Sequence, residues 1–263
     1  MPGDFVRTER GPHLVLTVVT FKWENPGYRS KFGAEQVNIM RNMVARHYPK
    51  PHRFICITDN ADGIDLDIEC FPIWDDHASV PNPTWANGPS CYRRLKVFSE
   101  WFREIAGDRF ICLDLDAVIV DDMSPIFDRQ EDCVTYSCKG LNGGINGSIF
   151  MMNAGCRSFV WDLFDPKRSP AETVRLGHRG SDQGWMNACL QHCSAKWTEA
   201  DGIIGYKDTV ALKRQVVRGR VQYVPGRRAS LPPGARIVFF HGKPDPWDEE
   251  AQARSPWILE HYR

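Results

Sequence analysis

The chain has 263 residues, enough for one large domain or two small ones. Its 42% hydrophobic and 25% charged residues exclude a disordered or fibrous chain, and no apolar run approaches the roughly 20 residues of a membrane-spanning helix. Formal net charge is zero, but Phe54–Asp132 holds 17 acidic and 6 basic residues, whereas Ile203–Arg236 holds 8 basic residues and one acid. The acidic middle suits a cation site and the basic stretch an anionic partner, although a solvated surface loop would give the same basic pattern. The 9 cysteines are scattered, several of them inside apolar runs, and Met1–Gly11 is polar and charged. The expectation is a reduced protein in the cytoplasm.

In chain order, His13–Phe21 is a continuous β-branched apolar run, the pattern of a buried parallel strand. It runs into a loop with Trp23 and Tyr28, which stand where an open α/β sheet binds ligands, beyond the carboxyl end of a strand. Gly33–His47 has helical apolar spacing at Val37, Met40, Met43 and Val44. Phe54–Thr58 and Ile68–Ile73 are predicted strands, and Val80–Pro89 is a proline-rich loop. Cys91–Ile105 is a predicted helix with Arg93, Arg94 and Lys96 near its start, where positive charge opposes the helix dipole and calls for an anionic partner. After the Asp114 region come strands at Cys133–Ser137 and Ser148–Met152, with a glycine- and asparagine-rich stretch, Gly140–Gly147, between them. Helices at Phe159–Phe164 and Ser181–Cys189 follow, then a late strand at Arg236–Phe240. This order predicts an α/β fold, a single domain over 1–263 with a mostly parallel central sheet, flanking helices and a small antiparallel part.

The most informative stretch is Arg109–Asp122. An apolar run, Phe110–Leu113, meets Asp114 and Asp116, and a second apolar run, Ala117–Val120, follows. Residues i and i+2 of a strand share a side, so both carboxylates can face one point. Two converging carboxylates repel unless a cation or a shared proton lies between them, and a hard divalent ion is the natural occupant. Two solvated aspartates at a strand end are the plainer alternative.

Four segments in this order resemble retaining glycosyltransferase family 8, of the GT-A (Rossmann-like) fold, and short glycosyltransferase-like proteins of bacteria and bacteriophages. Asp114-Leu115-Asp116 is similar to the Asp-x-Asp metal motif, and Tyr92-Arg93-Arg94-Leu95 to the helix before it, whose arginine helps hold the donor. Asn146-Gly147-Ser148 through Asn153-Ala154-Gly155, with Ser181-Asp182-Gln183, resembles the acceptor-side strand pair and its Asp-Gln. His241-Gly242-Lys243-Pro244 with Trp247 resembles the late histidine–lysine motif in compressed form.

The resemblance implies a nucleotide-sugar donor, UDP-sugar by preference, and transfer to a hydroxyl with retention. It places Mn2+ (or Mg2+) on Asp114, Asp116 and His241, with Asp182 and Gln183 as the catalytic residues. The implied donor site takes Phe21, Lys22, Trp23, Tyr28, Asp59, Arg94, Lys96, Asp114, Leu115 and Lys243; Asp59 would accept the N3–H of uracil and Lys243 would add charge on the diphosphate. Asn153, Trp185, Arg218 and Arg220 are the acceptor candidates. The donor half spans about 12–123 and the acceptor half about 124–248. The basic stretch suits a polyanionic acceptor, such as hydroxymethylated pyrimidine in phage DNA, in the bacterial host cytoplasm. A saccharide or lipopolysaccharide-core acceptor, or a binding module without catalysis, is the alternative.

Overall fold

The computed structural model describes residues 15–24, 31–84, 90–138, 141, 144–207, 214–217, 220–223 and 230–263, without the side chains of 214–217 and 220–223. The first apolar run forms β1 (Leu16–Lys22), central because its successive side chains are buried on both faces. Helix α1 (Ala34–His47) follows, its first turn closed by Gly33 N donating to Gln36 Oε1. Next come β2 (His52–Thr58) and β3 (Glu69–Pro72). The expected helix over 91–105 is instead two 3-10 segments, Tyr92–Phe98 and Glu100–Phe102, and a short α2 (Arg103–Ala106). Ser99 makes the break: its backbone is extended and its Oγ donates to the Lys96 carbonyl at 2.7 Å.

Strand β4 (Arg109–Leu113) carries the first apolar run of the aspartate segment, and the second run is a separate strand, β5 (Ala117–Ile119). Then come α3 (Ser124–Phe127), β6 (Cys133–Cys138) and β7 (Gly144–Asn153). The glycine- and asparagine-rich stretch therefore becomes strand from Gly144 on. Weak strand propensity is overridden by pairing, with Tyr136, Ser137 and Cys138 opposite Asn146, Ile145 and Gly144. Helices α4 (Phe159–Asp162), α5 (Ser169–Arg175) and α6 (Asp182–Leu190) precede β8 (Ala195–Trp197) and β9 (Ile203–Gly205). A hairpin of β10 (Arg214–Val217) and β11 (Arg220–Tyr223) lies before β12 (Ile237–Phe239), α7 (Glu249–Arg254) and α8 (Trp257–His261).

The main sheet has the order β3-β2-β1-β4-β7-β6-β8. Strands β3, β2, β1 and β4 are parallel, β7 runs against both β4 and β6, and β8 is parallel to β6. It is thus a mostly parallel sheet that crosses the expected boundary between the donor and acceptor halves. Strand β12 joins β5 and β9 in a second, smaller sheet. The parallel strands read as continuous apolar runs because both faces are covered. Val18, Ile111 and Leu113 belong to one buried cluster, and Val19, Phe110 and Cys112 to the other.

Candidate active site

Three-residue economy puts the aspartates where they are. Strand β4 ends at Leu113 and β5 begins at Ala117, so 114–116 link the two sheets. The link is held on both sides: Asp114 N donates to Ser148 O on β7 at 2.9 Å, and Phe240 N donates to Asp116 O at 2.8 Å. Beyond the carboxyl ends of β1 and β4 lies a cavity of about 280 Å3 lined by Phe21, Trp23, Glu24, Lys31, Phe32, Cys91, Arg94, Asp114, Leu115 and Asp116. Both aspartates thus reach one space, as alternation along an extended segment requires.

Arg94 organises the inner wall. Its Nη1 lies 3.1 Å from Asp114 Oδ1 and 3.5 Å from Asp182 Oδ2, its Nη2 donates to Gly147 O at 2.8 Å, and its guanidinium faces the Phe21 ring at 5.7 Å. Burial opposes the charge on Arg94, but the Asp114 and Asp182 carboxylates outweigh it and hold the guanidinium protonated. Asp182, 5% exposed, is pushed above the ordinary carboxylate range by burial, with Arg94 pulling the other way. Its Oδ2 and Arg94 Nε have no hydrogen-bond partner among the described residues. Unsatisfied buried polar atoms of opposite character beside a cavity are unusual in a finished core and suit a site that receives a polar ligand.

Asp182 and Gln183 open α6. The Ser181 side chain does not cap that helix; its Oγ donates to Asp182 Oδ1 at 3.2 Å and accepts Cys91 N at 2.9 Å, tying α6 to the segment that carries Arg94. Gln183 Oε1 accepts Gly147 N at 3.0 Å. Gly147 is therefore clasped by two site residues, its N–H by Gln183 and its carbonyl by Arg94. On the other side, the His241 ring lies 3.5 Å from Asn146 Nδ2, stacks on Phe239 at 6.1 Å, and its carbonyl accepts Lys207 Nζ at 2.7 Å.

Several expected site residues stand elsewhere. Lys96 pairs with Asp76 at 2.6 Å and lies over the Trp101 ring at 4.5 Å; with three residues per 3-10 turn, positions 94 and 96 face different ways. Lys243 is turned back to Asp245 at 2.8 Å and Asp248 at 3.0 Å. Asp59 Oδ2 accepts Glu24 N at 2.7 Å, and Lys22 Nζ donates to Asn60 O at 2.6 Å, so both staple the loop after β1 to the end of β2. Asn153 pairs with Arg109 at the amino end of β4. That is five strand residues from Ser148, about 17 Å from the aspartate end of the sheet. Trp185 Nε1 donates to Val160 O at 2.8 Å and its ring packs on Phe164, a structural role. Tyr28, Arg218 and the Arg220 side chain lie outside the described residues. Glu24, Lys31, Phe32 and Cys91 join the site without having been anticipated, since no pattern in the sequence singles out residues that meet only across loops, while Gly147 comes from the expected Asn146-Gly147-Ser148 segment.

A divalent ion is compatible in chemistry with two carboxylates and an imidazole, a donor set that Mn2+ accepts better than Mg2+ does. Among the described residues no three His, Cys, Asp or Glu side chains are already gathered as a metal cluster. Any such site would thus need the ligand's own oxygens to complete it.

No protein-family model matches the chain, and no curated protein matches it in sequence. Solved structures do match. The galactosyltransferase LgtC in complex with donor and acceptor sugar analogs aligns with a TM-score of 0.58 over 94% of this chain and 96% of its own, at 15% identity. An active-site Gln-to-Glu mutant of LgtC gives 0.59 at 14% identity over the same shares. The glycosyltransferase GlyE of Streptococcus pneumoniae TIGR4 gives 0.56 at 13% identity over 93% of this chain and 60% of its own. The chain has the fold of these glycosyltransferases, the mixed α/β architecture its sequence motifs anticipate. Among the described residues no helix is long and apolar enough to cross a membrane.

Proposed function

We propose that this protein is a metal-dependent glycosyltransferase that moves a sugar from a UDP-sugar to a hydroxyl acceptor with retention of configuration. The observation that carries the reading is the Arg94 hub: one buried guanidinium joins Asp114 to Asp182 at the inner wall of a cavity beyond the carboxyl ends of β1 and β4, the region where open α/β sheets bind ligands. Phe21, Trp23 and Phe32 offer apolar and aromatic faces to a nucleoside, and Lys31 offers a positive charge to its diphosphate. Asp114, Asp116 and His241 would hold Mn2+, which when bound neutralises charge on a departing diphosphate.

Asp182, with its unsatisfied Oδ2, is suited to orient sugar hydroxyls. Gln183 Oε1 accepts Gly147 N, and with its remaining lone pair it would stabilise positive charge developing at the anomeric carbon. A solved neighbour is an active-site Gln-to-Glu mutant of LgtC, which is consistent with a glutamine in the site of a protein of this fold.

For the acceptor, the basic Ile203–Arg236 stretch supports a polyanion, hydroxymethylpyrimidine-containing DNA being the specific candidate. A saccharide is the second reading, favoured by the acceptor sugar analog bound to LgtC. The test is UDP release from a panel of UDP-sugars with Mn2+, with hydroxymethylated duplex or oligosaccharide present. Release is expected with one donor and to fall at least about 100-fold in Asp116→Ala. No release from any nucleotide sugar refutes the activity, and an unchanged nucleoside mass with every donor transfers the acceptor assignment to saccharides.

A further inference from the structure

At the end of the main sheet opposite the cavity, two thiols meet. Cys133 opens β6 opposite Met152 on β7. Strand β7 ends at Asn153, whose N–H donates to Asp132 O at 2.8 Å, and the chain then turns sharply, with Cys156 N donating to Asn153 O at 3.1 Å. That turn folds Cys156 back over the start of β6. Its Sγ donates to the same Asp132 carbonyl at 3.1 Å, which brings that thiol against the peptide that leads into Cys133. Both are reduced, Cys133 being 1% exposed and Cys156 half-buried.

Arg157 fastens the surroundings. Its Nη1 and Nη2 take the Asp132 carboxylate at 3.0 and 3.2 Å, its Nη1 also takes Cys156 O at 2.8 Å, and its Nε and Nη2 donate to Cys193 O at 3.1 and 2.8 Å. One guanidinium thus holds the segments bearing Cys133, Cys156 and Cys193 together, with its charge paired to the Asp132 carboxylate beside them. A buried thiol held against an accessible one near a fixed cation is the arrangement of a resolving and a peroxidatic cysteine.

We infer that Cys156 and Cys133 form a modification site that a hydroperoxide converts to an intramolecular disulfide. The Cys156 thiolate attacks a peroxide oxygen and the O–O bond breaks. The departing oxygen takes up the proton released by Cys156 and leaves as water or an alcohol, and the sulfur becomes a sulfenic acid. Cys133 sulfur then attacks that sulfur, an S–S bond forms, and the hydroxyl leaves with the Cys133 proton as water. Two thiols are oxidised by two electrons and one peroxide is reduced, so nothing else is needed.

Ionisation runs the same way: the hydrogen bond from Cys133 holds the Cys156 thiol below its usual value, with Arg157 adding to the effect, and Cys133 is correspondingly pushed up. The other close pairs lack this asymmetry. Cys56 and Cys70 stand opposite each other on β2 and β3, yet burial pushes both thiols up. Cys189, one helical turn from the exposed Cys193, is pushed up to about 12.

The experiment exposes the full chain to hydrogen peroxide at low molar excess, digests it without reductant, and maps cross-linked peptides by mass. The expected result is a Cys133–Cys156 peptide, reversed by dithiothreitol and formed at least 10-fold faster than oxidation of Cys193. In Cys133→Ser a dimedone adduct should accumulate on Cys156 instead; in Cys156→Ser, Cys133 should stay reduced. Because Cys133→Ser changes a buried residue, Arg157→Gln provides a second reading, with the cross-link formed several-fold more slowly. Cys156 oxidised no faster than Cys193, or cross-links joining other cysteines, overturns the inference. The outcome does not depend on sugar transfer, since it is read by mass alone.

Discussion

Asp182 shows what a carboxylate proposed for function costs its surroundings. Burial raises its pKa, so the unfolded chain loses this proton at lower pH than the folded protein does. Stability from this group is therefore full below the ordinary carboxylate range, near pH 4, and falls as pH rises through the raised folded value. Asp182→Asn keeps the shape and removes that fall. The variant should melt at the same temperature as the parent or higher at pH 7, with the difference shrinking toward pH 4, while UDP release drops by about 100-fold or more. A variant that melts lower at pH 7 would show that pairing with Arg94 outweighs burial. Arg94, by contrast, was legible as a cation in need of a partner, and the partner in sequence order, Asp114, is the one it meets at 3.1 Å. Its second partner, Asp182, lies 88 positions further on, beyond any local rule.

Among the elements, α6 carries the proposed catalytic pair, Asp182 and Gln183, and its seat depends on Gly184. A Cβ there would stand 2.8 Å from Thr173 Cγ2 and 3.1 Å from Arg179 O, so Gly184 lets α6 lie close to α5. Gly184→Ala should cost about 1–3 kcal/mol in chemical denaturation and lower turnover by moving Asp182 and Gln183 with the helix. Unchanged stability would mean that α5 yields without resistance. The expected helix over 91–105 breaks at Ser99 because its hydroxyl caps the first segment's carbonyl. Periodicity registers the buried Val97, Phe98 and Phe102 but not the switch to 3-10 geometry, which turns Lys96 toward Asp76 and away from the cavity.

At the scale of the whole molecule, the cavity is lined by the end of β1, the 114–116 link between the sheets, the Arg94 segment and loops far apart in the chain. A ligand that bridges them should stabilise all of them together. Mn2+ and UDP added jointly, each at about 100 times its dissociation constant, should contribute about 2.7 kcal/mol or more and raise the melting temperature by several degrees. Either one alone should give a smaller shift if Asp114, Asp116 and His241 share the ion with the diphosphate, as proposed. An equal shift from UDP without metal would remove the bridging role. The Asn153 expectation failed at this same scale: β7 runs antiparallel to β4, so its beginning, not its end, reaches the aspartates.

The sequence by itself determined the alternating β and α order, the two-sided burial of the parallel strands and the paired aspartates after β4. Each of these follows from local pattern: continuous apolar runs, 3.6-residue spacing, and i, i+2 alternation. The tertiary structure decided which charges remain at the site. Lys96, Lys243 and Asp59 were each claimed by a closer partner, while Arg94 was drawn between two buried carboxylates. The reason is physical: an ion pair is chosen by distance and dielectric after the chain has folded, and sequence spacing encodes neither.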